Sequence, residues 1–322
     1  YWFNSNYELS IGIVVTGMVA AWAVIARMPF SRPLWRQLSV GLTLLALLAL
    51  AWIRVDDHLE ETGGAEVTVR NFYGTLQVFN NTERGSRSKF HGQITHGRQF
   101  TAPDKLDWPT TYYSPDGGVG KALQIKATQG PLRVGVIGLG VGTLASYGRQ
   151  GDSLRLYEID PLVIEIARTH FSYLARTAAA TEIVLGDARL QLEREAAQQF
   201  DVLVVDAFSG DSVPIHLLTL EAFAQYFRHL KPDGVLAVHI TNRFLDLRPV
   251  VQTAAAQFGK DLRLVDASGI PEKLVLRSRW ALVSSDAAFF RHPALATASR
   301  FNAAPGFKPW KDDYSSIFSV LE

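Results

Sequence analysis

Three glycines and a series of carboxylates carry the chemistry that this sequence offers. The stretch "VIGLGVGTL" breaks a β-branched run at Gly138, Gly140 and Gly142, and an acid then ends each of three later apolar runs: Glu158 in "YEIDP", Asp187 in "GDA" and Asp206 in "VVDAFSGD". Glycines after a strand let the backbone approach a ligand closely. The dinucleotide fingerprint is G-x-G-x-x-G, whereas here the third glycine follows the second by two residues, so the helix N-terminus is not set for a pyrophosphate in the same way. Glu158, at the end of a second strand, is placed to accept both ribose hydroxyls. Asp187 is placed to accept from an exocyclic adenine amine, and Asp206 adds an acid at the pocket mouth. Singly, each acid also fits a helix N-cap or a solvated strand end. Jointly they describe a nucleoside pocket whose turn suits an adenosyl sulfonium better than a dinucleotide.

The elements that must position these residues alternate from Leu132 onward. "RVGVIGLG" reads as a strand running into the turn, "TLASYGRQ" as a short helix and "SLRLYEID" as the second strand. Pro161 opens the next helix at its first position, where the missing N–H is not needed. "TEIVLGDA", "FDVLVVDAF" and "GVLAVHI" are three further strands, with helices in "LQLEREAAQQ" and "LLTLEAFAQYFRHL". This repetition predicts a doubly wound α/β fold, in which ligands collect at the C-terminal ends of the strands. Residues 61–125 read as a β-rich region, with alternation around Gly74 in "EVTVRNFYGTLQVFN" and a long Pro- and Gly-rich loop in "APDKLDWPTTYYSPDGGVGK". In that loop Tyr112 and Tyr113 offer aromatic faces to a cationic amine or sulfonium, or simply pack the loop. His91 and His96 in "HGQITHG" either shape an acceptor site or stabilise a turn, with too few acids or cysteines beside them for a metal site. His216 reads as a surface or capping residue. Asn242 and Arg243 follow the fifth strand at the ligand edge, and Asp312, Asp313 and Tyr314 are lesser candidates.

Lys plus Arg is 32 against 31 for Asp plus Glu among 322 residues, which gives no footing for a nucleic-acid partner. The lack of cysteine removes disulfides, thiolate metal sites and a Cys nucleophile. Leu9 to Ala26 is uncharged over 18 residues and Gln37 to Ile53 over 17. Since a span needs about 20 apolar residues, residues 1–60 are read as a pair of transmembrane helices, with Trp35 and Trp52 at interfaces. Two buried helices or a signal peptide are the rival readings, and only Glu8 precedes the first run where a signal peptide would carry positive charge. Arg27, Arg32 and Arg36 would place the connecting loop in the cytoplasm. The chain begins with Tyr1, so further helices upstream are expected.

"VGVIGLGVGTL", "YEIDP", "GDA" and "VVDAFSGDSVPIHLLTLEAF" resemble the spermidine synthase family of aminopropyltransferases, and in particular its bacterial branch fused to membrane helices; the likeness runs over roughly Val67 to Leu321. The resemblance implies a Rossmann-like core of the S-adenosylmethionine-methyltransferase type over residues 126–322, preceded by the β-rich substrate region and the transmembrane pair. It implies decarboxylated S-adenosylmethionine, or the intact molecule, as donor, no metal, and a polyamine or other amine as acceptor. Glu158 and Asp160 would then hold the ribose end, Asp187 and Ala188 the adenine, and the glycine turn the thioether region. Gln99 or Gln93 would be the family's glutamine near the donor, and Tyr112 and His96 would face the acceptor. Asp206 would orient the acceptor amine and help remove its proton, joined by Asp211 and Tyr113. The amine would attack the propyl carbon beside the sulfonium without a covalent enzyme intermediate, a matter chiefly of orientation with a carboxylate suited to base catalysis. Three departures stand out: Val141 replaces an aspartate of the family's turn, "DAFSGD" shifts the second acid to Asp211, and the family's Tyr-His pair near the acceptor is represented only by Tyr112 and Tyr113 in "TYYSP". The expected setting is a bacterial inner membrane with the catalytic domain facing the cytoplasm, where adenosyl donors reside, against the loop arginines, which would place everything after Ile53 outside; a homodimer is compatible with the chain. The rivals are a methyltransferase using intact S-adenosylmethionine and a non-catalytic membrane protein that binds a nucleoside or polyamine.

Overall fold

The computed structural model describes residues 7–27, 33–62, 64–92, 94–207 and 214–321. They fall into two compact units, Tyr1–Asn80 and Asn81–Glu322. The first holds α1 (Tyr7–Arg27), α2 (Pro33–Thr62) and the antiparallel strands β1 (Ala65–Asn71) and β2 (Gly74–Asn81). The two helices pack on one another closely enough that a Cβ on Gly17 would lie 3.2 Å from Leu47 Cδ2. Trp22 on α1 and Leu45, Leu48 and Trp52 on α2 are exposed.

Among the described residues no helix is long and apolar enough to cross a membrane, which overturns the expected transmembrane pair. The uncharged runs do not fill the helices that carry them, since α1 includes Glu8 and Arg27 and α2 includes Arg36 and a charged C-terminal stretch. The second run is also no separate element, because α2 continues through "RVDDHLEET" as one helix of 30 residues.

The second unit opens with the antiparallel pair β3 (Ser86–His91) and β4 (Ile94–Phe100), followed by α3 (Gly118–Ala127). Its main sheet contains β5 (Arg133–Ile137), β6 (Ser153–Glu158), β7 (Ala180–Leu185), β8 (Phe200–Val205), β9 (Leu230–His239), β10 (Asp261–Ala267) and β11 (Ser278–Ser284). Between these run α4 (Pro161–Thr169), α5 (Tyr173–Arg176), α6 (Ala188–Arg194), α7 (Leu220–His229) and α8 (Arg248–Gln257), with α9 (Ala287–Phe290) after the last strand. The order β10-β11-β9-β8-β5-β6-β7 has β5 to β9 parallel and β10 and β11 added antiparallel. The chain winds outward from β5 through β6 and β7, then returns to β8, so the switch point where such folds bind ligands lies between β5 and β8. Every residue of β8 is buried, as expected of a strand covered on both faces. α7 lays Ala222, Phe223 and Tyr226 into that core, each large side chain contributing on the order of 2 kcal/mol by burial. "TLASYGRQ" forms one 3-10 turn, Thr143–Tyr147, and no longer helix.

Register does the positioning. Ile137 pairs with Tyr157 on one side and with Val205 on the other, Val205 pairs with Val238, and Trp280 pairs with His239. The next residues along the parallel strands, Gly138, Glu158, Asp206 and His239, therefore stand side by side on one edge.

Candidate active site

At the end of β5 the backbone turns through Gly138 at φ 95°, a left-handed conformation that favours glycine. A Cβ there would fall 2.2 Å from the carbonyl oxygen of Asp206, so the missing side chain is what allows the turn to lie against the end of β8. The same turn is tied to β6. Leu139 N–H donates to Glu158 Oε2 and Asp160 N–H to Oε1, both at 3.0 Å. Burial raises the pKa of Glu158, with the nearby Lys89 cation acting against it. Lys89 donates from Nζ to the Gly140 carbonyl at 2.9 Å. Burial pulls its pKa down to about 8, against the attraction of Glu158 and Asp160. Asp160 caps α4 by accepting from Leu162 N–H at 2.9 Å. The ribose end of the expected pocket thus has a buried carboxylate–ammonium cluster braced on the glycine turn.

Asp187 does two things at once. It caps α6 by accepting from Leu190 N–H at 2.9 Å, and its other oxygen bonds His216 Nε2 at 2.9 Å. That bond to His216 holds the Asp187 carboxyl below the usual range. Ala188, beside it, is buried. Arg189 on the same helix donates to Asp312 Oδ1 at 2.6 Å, and Thr219 donates to that oxygen at 2.8 Å. The C-terminal segment therefore docks beside the Asp187 rim, with Asp312 as its anchor.

Asp206 has both oxygens engaged. Tyr113 donates its hydroxyl to Oδ2, and His239 Nδ1 donates to Oδ1 at 2.7 Å. Burial opposes the Asp206 charge, but His239, Tyr113 and His96 outweigh it and hold the carboxyl below its ordinary pKa. Burial and the facing Asp206 carboxylate push Tyr113 well above the ordinary phenol value. The His239 ring stacks on Trp280 at 4.7 Å and 25° and lies 4.7 Å from Tyr112. Tyr112 donates to the Thr95 carbonyl at 3.1 Å, and Trp280 Nε1 donates to the Tyr112 carbonyl at 3.1 Å. On β4, His96 carries a buried Nε2 without a hydrogen-bond partner among the described residues. Burial, reinforced by Lys89 and His91, drops its pKa to about 3.

The structure thus brings together Gly138, Gly140, Glu158, Asp160, Asp206, Tyr112, Tyr113 and His96 of the residues read from the sequence. Gly142 begins the 3-10 turn that follows. Gln99 instead braces a loop, donating to Leu106 O at 2.9 Å and Ser172 Oγ at 2.8 Å and accepting from Ser172 N–H at 2.9 Å. Asn242 closes a local turn by accepting from Phe244 and Leu245 N–H. Gln93 and Asp211 lie outside the described residues. Val141, where the family's aspartate was expected, is buried against β4, and a Cβ on Gly97 would fall 2.4 Å from its Cγ2. Sequence reasoning missed Lys89 and His239. His239 carried a usable signal, since it ends the strand that adjoins Asp206. Lys89 carried none, because a lysine in "RSKF" reads as solvated.

No family model matches the chain. Curated polyamine aminopropyltransferases of Vibrio vulnificus and Thermotoga petrophila are each 32% identical to it, over 114 and 126 residues, covering 34% and 36% of this chain and 38% and 41% of theirs. A putrescine N-methyltransferase of Nicotiana tabacum is 26% identical over 138 residues, 41% of this chain and 39% of that one. The matched stretch thus spans about two fifths of these relatives. Among solved structures, a probable spermidine synthase from Corynebacterium glutamicum superposes with a TM-score of 0.57 at 18% identity, covering 71% of this chain and 83% of that one. The spermidine synthase of Thermotoga maritima gives 0.50 at 20% identity over 77% and 81%. These likenesses establish the Rossmann-like, methyltransferase-type α/β core. In its motifs and its fold the chain is similar to spermidine synthases, and the curated relatives matched over part of their length include polyamine aminopropyltransferases.

Proposed function

We propose that this protein transfers an aminopropyl group from decarboxylated S-adenosylmethionine to a small amine. The observation that carries the reading is Asp206, a buried carboxylate held in its charged form on the strand edge beside the glycine turn and Glu158. The residues fit an adenosyl donor. Gly138 leaves the space that a side chain would fill, Glu158 offers a buried carboxylate for ribose hydroxyls, and Asp187 stands one strand further out for the adenine. Tyr112 and Tyr113 bring aromatic faces to the Asp206 end, which suits a cationic acceptor or the sulfonium. A fixed negative charge there draws in a protonated amine and holds it in line with the carbon to be transferred. The names of the curated relatives support the same reaction class.

Calorimetric titration with decarboxylated and with intact S-adenosylmethionine tests the reading, with preference for the decarboxylated donor expected and preference for the intact donor refuting it. Asp206→Asn is expected to lower kcat by about 10²- to 10⁴-fold while donor binding stays close to wild type. Unchanged turnover would remove Asp206 from the chemistry.

A further inference from the structure

We propose that His239 is the base that accepts the acceptor's proton, and that Asp206 serves to orient and charge-balance it. The inference rests on the aminopropyl-transfer reading above and refines its proton path.

Four observations lead there. First, both Asp206 oxygens already accept a hydrogen bond, from Tyr113 and from His239, which stabilises the carboxylate and makes Asp206 a weaker base. Second, a hydrogen bond to an ionised carboxylate requires the proton on His239 Nδ1. A neutral ring with Nδ1–H carries its basic lone pair on Nε2, so Asp206 sets the tautomer that can receive a proton. Third, the pair is enclosed, with side-chain exposures of 7% for Asp206 and 4% for His239, and the ring is held between Trp280 and Tyr112. An imidazolium formed there lies against two aromatic faces and next to a carboxylate, all of which stabilise positive charge. Fourth, His96 adds a buried Nε2 with no partner among the described residues, within electrostatic reach of both Asp206 and His239. With a pKa of about 3, His96 stays neutral and is too weak a base to take the proton itself. It is suited to hydrogen-bond the amine while His239 acts. The groups around His239 are therefore Asp206 from the end of β8, Tyr112 and Tyr113 from the loop before α3, His96 from β4 and Trp280 from β11, with Lys89 and His91 lying beyond His96.

The step balances. The acceptor enters as an ammonium and gives one proton to His239 Nε2, forming an imidazolium paired with Asp206. The freed nitrogen lone pair forms the new C–N bond on the propyl carbon as the C–S bond breaks. The electron pair of that bond stays on sulfur and leaves a neutral thioether nucleoside. The product departs as a secondary ammonium, and His239 returns its proton to solvent.

The test uses the full-length protein with decarboxylated S-adenosylmethionine and a series of aliphatic diamines. His239→Asn retains a donor toward Asp206 but has no basic nitrogen. It is expected to lower kcat by about 10²- to 10⁴-fold and to show a pH profile of kcat that differs from that of wild type. Calorimetric binding of methylthioadenosine should be unchanged. If His239→Asn turns over like wild type with the same pH profile, His239 is not the base and only this proposal falls. If wild type transfers no aminopropyl group to any diamine, the reaction itself is misassigned and the proposal falls with it. Nitrogen NMR of the histidines in wild type gives a readout independent of turnover and of how well the variant folds. It should show the proton of the neutral His239 ring on Nδ1, and the opposite tautomer overturns the assignment.

Discussion

Replacing Lys89 with Met removes a buried charge while nearly keeping the volume of the side chain. Lys89 is 2% exposed, and its pKa of about 8 compares with 10.5 for an unperturbed lysine. At about 1.4 kcal/mol per pH unit, keeping this ammonium buried near neutral pH costs about 3 kcal/mol. The unfolded chain holds the proton up to about 10.5 and the folded protein releases it near 8. Between those values the unfolded state binds more protons, so wild-type stability rises with pH. The Met variant escapes the burial cost but leaves the Gly140 carbonyl without its donor, a loss of about 1–3 kcal/mol. It also leaves Glu158 without the cation that offsets its burial. These effects nearly cancel at pH 7, where the two proteins should unfold at similar urea concentrations. By about pH 9.5 wild type should have gained about 2 kcal/mol from Lys89, a gain the variant lacks. Urea unfolding of both proteins at the two pH values measures the difference directly. A wild-type-minus-variant stability gap that stays constant between them would refute the buried, depressed lysine and the cluster built on it.

Two further outcomes follow from the same edge of the sheet. Gly138→Ala forces a Cβ onto a left-handed turn, about 1–2 kcal/mol in backbone strain alone, and drives it into the Asp206 carbonyl. Turnover should fall far more than the urea midpoint does, and a variant with wild-type kcat would show that the turn does not position Asp206. Glu158→Gln places an amide N–H2 against either Leu139 N–H or Asp160 N–H and removes the partner of Lys89. Calorimetry should show methylthioadenosine binding weakened by about tenfold or more, roughly 1.4 kcal/mol, with binding of free adenine little affected. Equal losses for both ligands would remove Glu158 from ribose recognition.

The parallel core was legible because apolar strand runs, Pro161 and the strand-end acids all repeat on one rhythm. Asp187 shows why local reading leaves a choice open, since it is both a helix cap and a rim carboxylate and one geometry serves both. β10 and β11 escaped notice because they pair antiparallel after the βαβ rhythm has ended. The N-terminal apolar runs misled for a different reason, because composition reports hydrophobicity without showing where a helix stops, and α2 does not stop at Ile53. Lys89 and His239 depend on partners 51 and 33 residues away. Contacts of that range become visible only when strand register is known. For His239 the register was inferable from the parallel order, and for Lys89 it was not.

The fit of Val141 into the space left by Gly97 means that the donor turn is moulded by β4 as well as by the sheet that carries it. The two positions form an epistatic pair, since a larger residue at Gly97 and the native Val141 exclude one another. An acid at position 141 would face a strand shaped for a branched hydrocarbon. Evolutionary change in how this turn treats the donor therefore has to pass through both residues, and across relatives they should vary together.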